Sequence, residues 1–194
     1  MRGCPLADSA AGPAVFLDRD GTVAEEVGYL NHLSRFRLLD GVAGAIRRLN
    51  EARLPVVVVT NQSGVGRGYF PEQLVRDVHE RMIRELLKFG ARIDGVYYCP
   101  HVSGDGCECR KPKTGMLVLA ARELKADLAE SFVVGDRHAD VELAHRAGAR
   151  SILVRTGYGE GELAWHAKDW PRQPEFVAKD LPDAVEWILK EVRR

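Results

Sequence analysis

Ala14-Val15-Phe16-Leu17-Asp18-Arg19-Asp20-Gly21-Thr22 is the stretch that decides how this chain is read. Its apolar run is short and ends at a glycine turn, as in a strand buried on both faces. Two carboxylates two residues apart follow it. In extended backbone, residues i and i+2 point the same way, so Asp18 and Asp20 leave the strand as a pair. Such a pair suits a nucleophile beside a group that moves protons. A calcium loop has another pattern. It needs a third Asp or Asn and a glycine at its sixth position, whereas glycine comes fourth here.

Outward from this strand, apolar runs alternate with helical periods. Further strands are predicted at 55–60, 93–98, 131–135 and 150–155, the first being 14–18. Asp40 is placed to cap a helix reaching about Arg53, with Val42, Ile46 and Leu49 on one stripe. Pro71 opens a longer helix with Leu74, Val78, Met82 and Leu86 on its apolar face, and Gly90 ends it. Others are expected at about 115–125, at 138–147 before Gly148, and at 182–192 after Pro182. Repeated β–α units predict a three-layer, Rossmann-like α/β fold with a mainly parallel central sheet. Ligands of such sheets bind beyond the carboxyl ends of the strands. The segments 22–40 and 61–92 are too short for a large cap.

The chain has 194 residues, enough for one domain with an ample core. Residues 1–13 read as a flexible leader without the apolar region of a signal peptide, and 14–194 as a single domain. Lys+Arg and Asp+Glu balance at 28 each, which argues against a nucleic-acid partner. No apolar run is long enough to cross a bilayer. A soluble, cytoplasmic monomer acting on a small molecule is expected.

Three more segments place polar groups at predicted strand ends. Thr60-Asn61-Gln62-Ser63 offers a hydroxyl and backbone N–H groups for a phosphate oxygen. The following Gly64-Val65-Gly66-Arg67-Gly68 lacks the third glycine of a dinucleotide fingerprint and reads as a flexible loop, with Arg67 a substrate contact. Arg110-Lys111 brings two cations before a helix. Asp136 and Asp140 straddle the start of another helix, where one can bind Mg²⁺ with Asp18 and the other can orient a neighbouring cation.

Cys99, His101, Cys107 and Cys109 lie within eleven residues. Three thiolates and one imidazole suit tetrahedral Zn²⁺, and four protein ligands close the site to chemistry. Its expected role is to clamp the loop that carries Arg110 and Lys111. Cys4 stands apart in the leader. His32, His79, His145 and His166 read as surface or packing residues, and His138 as a solvated residue at a helix start. Trp165 and Trp170 are expected to pack under a C-terminal loop.

Taken in order, 16–22, 59–63, 109–112 and 135–140 resemble the four motifs of the haloacid dehalogenase (HAD) superfamily of phosphatases. Two branches share these elements. The heptose-bisphosphate phosphatases, which supply precursors of activated heptose for lipopolysaccharide and other surface glycans, are favoured by 60–68, 97–101 and 153–157. The histidinol-phosphate phosphatases of histidine biosynthesis are the alternative. The resemblance implies that Asp18 attacks phosphorus, Asp20 is the acid and then the base, and Thr60 and Lys111 hold the phosphoryl oxygens. It implies Mg²⁺ on Asp18, Asp136 and the Asp20 carbonyl, with Asp140 behind them. It implies substrate contacts from Glu26, Tyr29, Asn61, Gln62, Ser63, Arg67, Arg110 and Arg137, and a structural zinc in the Cys-x-His…Cys-x-Cys loop.

Overall fold

The computed structural model describes residues 11–193. Strands β1 (Val15–Leu17), β2 (Val56–Asn61), β3 (Gly95–Cys99), β4 (Phe132–Gly135), β5 (Arg150–Val154) and β6 (Phe176–Ala178) form one sheet in the order β3-β2-β1-β4-β5-β6. Every neighbouring pair is parallel. The helices are α1 (Val42–Glu51), α2 (Glu72–Leu87), α3 (Gly115–Leu124), α4 (His138–Ala147), α5 (Gly159–Trp165) and α6 (Leu181–Glu191).

Side-chain alternation along the strands builds two cores, one on each face. Val15, Leu17, Val56, Val58 and Val134 pack with Ile46, Met82 and Ile188 from α1, α2 and α6. Phe16, Val57, Val59 and Val133 pack instead with Leu117 of α3 and Leu143 of α4. Consecutive valines in β2 therefore serve opposite layers, which is why that strand carries no polar alternation.

The order of the strands positions the site. From β1 the chain winds outward through β2 and β3, then returns to pair β4 against the other side of β1. A crevice opens where that winding reverses, beyond the carboxyl ends of β1 and β4. Asp18 and Asp136 follow those two strands directly.

Several boundaries differ from expectation. Gly41, in a left-handed conformation, stands at the N-cap of α1, and no side chain caps that end; Asp40 precedes it. Asp180 does cap α6, accepting from Asp183 N at 3.0 Å. α5 contains Trp165, so the segment expected to be a loop is helical there. Its glycines disguised it, yet Gly159 is required: a Cβ there would lie 1.8 Å from Val154 O. β6 is three residues long and shows no usable period. The segments 22–40 and 61–92 hold short turns, isolated bridges and α2, with no inserted cap. Residues 1–10 of the expected leader, with Cys4, fall outside the described residues; Gly12 already bridges Ala126. Among the described residues, no helix is long and apolar enough to cross a membrane.

Candidate active site

β1 delivers its two carboxylates to different neighbours. Asp18 N donates to Val134 O at 2.8 Å, so residue 18 still follows the sheet. The chain then turns, with Gly21 at φ +81° and Gly21 N donating to Ala24 O at 2.7 Å. Asp18 faces Lys111, whereas Asp20 meets Gln62, just after β2, and Arg19, which itself reaches α2 at His79. Both line a cavity of about 320 Å³ at the carboxyl edge of the sheet.

The inner wall is a buried charge cluster. One carboxylate oxygen from each of Asp18, Asp136 and Asp140 lies within 4.8 Å of the others. Lys111 Nζ sits 2.8 Å from Asp18 Oδ1 and 2.6 Å from Asp140 Oδ1, and donates to Val59 O at 3.1 Å. Burial pulls the Lys111 pKa down, but the Asp140 and Asp18 charges outweigh it and hold the ammonium above its ordinary value. Burial pushes Asp18 up to about 6; Asp140 and Asp20 add to the rise and Lys111 opposes it. Burial, then the charges of Asp18 and Asp140, push Asp136 to about 8.

Three acids thus face one ammonium. Asp18 Oδ1 is buried, and its contact with Lys111 lacks hydrogen-bond alignment. Asp140 is already engaged, by Lys111 and by Arg137 N at 3.3 Å. Asp18 and Asp136 are left as hard oxygen donors on an excess of negative charge, the donor set of Mg²⁺. Two glycines shape the place of Asp136. A Cβ on Gly21 or on Gly157 would lie 2.1 Å from Asp136 Oδ2, so backbone closes on that carboxylate from two sides. Tyr158 N donates to the same oxygen at 2.8 Å.

The outer wall surrounds Asp20. Gln62 Nε2 donates to Asp20 Oδ2 and to Thr60 Oγ1, each at 2.9 Å. Arg19 donates from Nε to Asp20 Oδ1 at 3.0 Å and from Nη2 to Oδ2 at 2.8 Å. Arg19 Nη1 meets His79 Nε2 at 3.1 Å. Neither Arg19 nor His79 stands out as functional in the sequence. His79 shares α2 with buried Val75, Val78 and Met82, so by pattern it reads as packing.

Glu26, Tyr29, Asn61, Gln62, Ser63, Arg110 and Arg137 all line the cavity. Asn61 also holds the neighbouring loop. Its side-chain amide accepts from Lys111 N at 3.0 Å and donates to Lys111 O at 3.1 Å, fixing the backbone that carries the ammonium. Arg137 lies 3.9 Å over the ring of Tyr158, which also lines the cavity. Arg67 is not brought to the cavity. The turn after β2 is tied down by Gly66 N to Pro100 O at 2.9 Å and Arg67 N to Ser63 O at 3.0 Å, leaving the Arg67 side chain exposed.

Beside this site stands the sulfur cluster. Cys99 ends β3, and Cys109 Sγ lies 3.2 Å from Cys99 Sγ and 3.3 Å from His101 Nδ1. Cys99 Sγ is 3.7 Å from Cys107 Sγ. Zinc bonds of about 2.0–2.3 Å give a tetrahedron with edges of about 3.3–3.8 Å, and the four ligand atoms, all within 4.8 Å of one another, are gathered close to that size. Arg110 Nη1 donates to His101 O at 3.0 Å, tying this cavity-lining cation to the sulfur cluster.

Residues 108–184 match the HAD-hydrolase-like family model. Over 191 residues the chain is 44% identical to D-glycero-D-manno-heptose-1,7-bisphosphate 7-phosphatase of Thermosynechococcus vestitus, covering 91% of this chain and 95% of that one. It is 43% identical over 185 residues to the D-glycero-beta-D-manno-heptose-1,7-bisphosphate 7-phosphatase of Yersinia pestis, covering 89% and 95%. Among solved structures, D,D-heptose 1,7-bisphosphate phosphatase from B. bronchiseptica, complexed with magnesium and phosphate, superposes with a TM-score of 0.85 at 36% identity, covering 92% of this chain and 99% of that one.

Proposed function

Because the chain belongs to the D-glycero-D-manno-heptose-1,7-bisphosphate 7-phosphatase family of HAD-like hydrolases, we propose that it hydrolyses the C7 phosphate of that sugar bisphosphate through an aspartyl-phosphate on Asp18. The observation that carries this reading is the setting of Asp18 Oδ1: buried, at the crevice between β1 and β4, with an ammonium 2.8 Å away and no aligned hydrogen bond.

Attack by a carboxylate on a phosphate dianion is opposed by charge. At ~4 Å, two unit charges repel by ~4 kcal/mol at an effective dielectric of ~20. Asp18, Asp136 and the backbone carbonyl of Asp20 would hold Mg²⁺, which would supply positive charge against that repulsion. Lys111 supplies the rest and, with Thr60, holds the phosphoryl oxygens. Asp18 forms a bond to phosphorus as the bond from phosphorus to the C7 oxygen breaks, and Asp20 gives its proton to the departing oxygen. Asp20 then takes a proton from the water that attacks the aspartyl-phosphate. Inorganic phosphate leaves and the Asp18 carboxylate is restored. Asp140 keeps Lys111 in line, and Arg110 and Arg137 receive the remote part of the substrate. We place the reaction in the cytoplasm, on a monomer in which residues 14–194 act as one domain.

The test is Mg²⁺-dependent phosphate release from both anomers of heptose 1,7-bisphosphate, from fructose 1,6-bisphosphate and from histidinol phosphate. A kcat/KM at least about 100-fold higher on the heptose is expected. Preference for histidinol phosphate overturns the substrate assignment while leaving the reaction class standing.

A further inference from the structure

A carboxylate on a turn keeps its plane only if something grips it. Arg19 grips Asp20 with two prongs, Nε to Oδ1 and Nη2 to Oδ2, the arrangement that fixes both distance and plane. Arg19 is 2% exposed, so its remaining donors also need acceptors. Nη1 finds one on His79, sixty residues further along the chain, at 3.1 Å. A guanidinium only donates, so His79 must offer the lone pair of Nε2 and be neutral. Burial and the Arg19 charge push its pKa down to about 3, consistent with that state. The imidazole is itself seated against Tyr98, with ring centroids 5.4 Å apart, and Tyr98 OH donates to Glu72 on the first turn of α2. A leucine on the same stripe of α2 would pack as well but would leave Arg19 Nη1 without its acceptor.

We propose that His79, acting through Arg19, is a positioning residue that sets the carboxylate plane of Asp20 for proton transfer. The inference rests on the reading of Asp20 as the acid and base, and the experiment separates the two. His79→Leu, His79→Gln and Arg19→Lys are each made in the wild-type and Asp20→Asn backgrounds. Steady-state kcat and KM, single-turnover phosphate release and melting temperature are measured with Mg²⁺ on the sugar bisphosphate.

His79→Leu is expected to lower kcat about 30-fold with KM within about twofold, since misplacing a catalytic group by an ångström costs on the order of 100-fold. His79→Gln, whose amide oxygen accepts from Arg19, returns kcat to within about threefold of wild type. Arg19→Lys, which has no fork, falls at least as far as His79→Leu. In the Asp20→Asn background none of the three lowers the single-turnover rate further, because the group they position is gone. Wild-type kcat in His79→Leu overturns the proposal, as does an equal loss in both backgrounds. A loss shared by Leu and Gln that follows melting temperature also overturns it. If His79→Leu does not fold, the contrast between His79→Gln and Arg19→Lys decides in the same way. Full turnover by Asp20→Asn alone would instead remove the reading of Asp20.

Discussion

The two metal-binding clusters meet at residues 109–111, yet they are built in opposite ways. The sulfur cluster is local: four ligands from eleven consecutive residues, on one loop and one strand end. It is closed, since four protein ligands complete a zinc tetrahedron. The carboxylate cluster is assembled by topology. Asp18 comes from β1, Lys111 from the loop before α3, Asp136 from the end of β4 and Asp140 from α4. It is buried, overcharged and open toward a cavity. The contrast separates holding from reacting. A satisfied cluster fixes a loop, and an unsatisfied one has affinity left for an ion and a phosphate.

The comparison breaks first at Asp18. Asp18→Asn keeps shape and should cost on the order of 10⁴-fold or more in kcat, because an amide cannot form the acyl-phosphate. Zinc content should stay near one per chain. Substantial turnover by this variant, measured as phosphate release, would show that the open cluster is not the reacting one. Lys111→Met comes next. It strips the only ammonium contacting Asp18 and Asp140 among the described ion pairs. A loss of about 10³-fold in kcat is expected, together with about 3 kcal/mol in urea unfolding from uncompensated buried charge. If activity fell and stability did not, the lysine would serve the substrate alone.

Cys107→Ser probes the closed cluster. It should lower zinc content, melting temperature and kcat together, the last by about 10- to 100-fold, through the loosened placement of Arg110 and Lys111. Extra Mg²⁺ should not restore the rate. A zinc-free protein with full activity would mean that the clamp and the reacting site are independent.

Legibility in sequence follows the same division. The sulfur cluster needed no fold, because its spacing already places the ligands together. Asp18, Thr60, Lys111 and Asp136 were legible because each follows or abuts a predicted strand end, and parallel sheets gather such ends along one edge. The first five strands were legible as apolar runs, and the five helices with clear apolar stripes by period. What escaped was set by contacts across the fold. His79 looks like packing until Arg19 is seen to need an acceptor. Arg67 sits in a glycine-rich run that reads as a flexible loop beside the substrate, yet Gly66 N bonds Pro100 O and Arg67 N bonds Ser63 O, and the Arg67 side chain stands exposed outside the cavity lining. Tyr158, within the run 153–159, reaches the site because Gly157 lets the chain pass against Asp136, a contact that only the fold reveals. β6 is only a short edge strand beside β5.

A contrast in stability rather than turnover lies in how acid weakens each region. The zinc loop loses its metal as thiolates and imidazole take up protons, and that loss depends on zinc concentration. Beside Asp20 the route is different. Unfolded His79 titrates near its ordinary value of 6.5, whereas the buried ring, desolvated and next to Arg19, resists protonation down to about 3. Between those limits the unfolded chain binds a proton that the native protein does not. The contribution of His79 is therefore complete above about pH 6.5 and declines by about 1.4 kcal/mol per pH unit as pH falls toward 3. Asp18 and Asp136, whose carboxyls are held high in the native state, pull the curve the other way over the same range, so the readout is the difference between wild type and His79→Gln, whose side chain cannot titrate. Measured by urea unfolding at fixed, saturating zinc from pH 7 to 4, that difference should carry the His79 slope and should not move when zinc is raised tenfold. A difference that shrinks with added zinc would place the acid sensitivity in the sulfur cluster, and the two regions would then share one weakness.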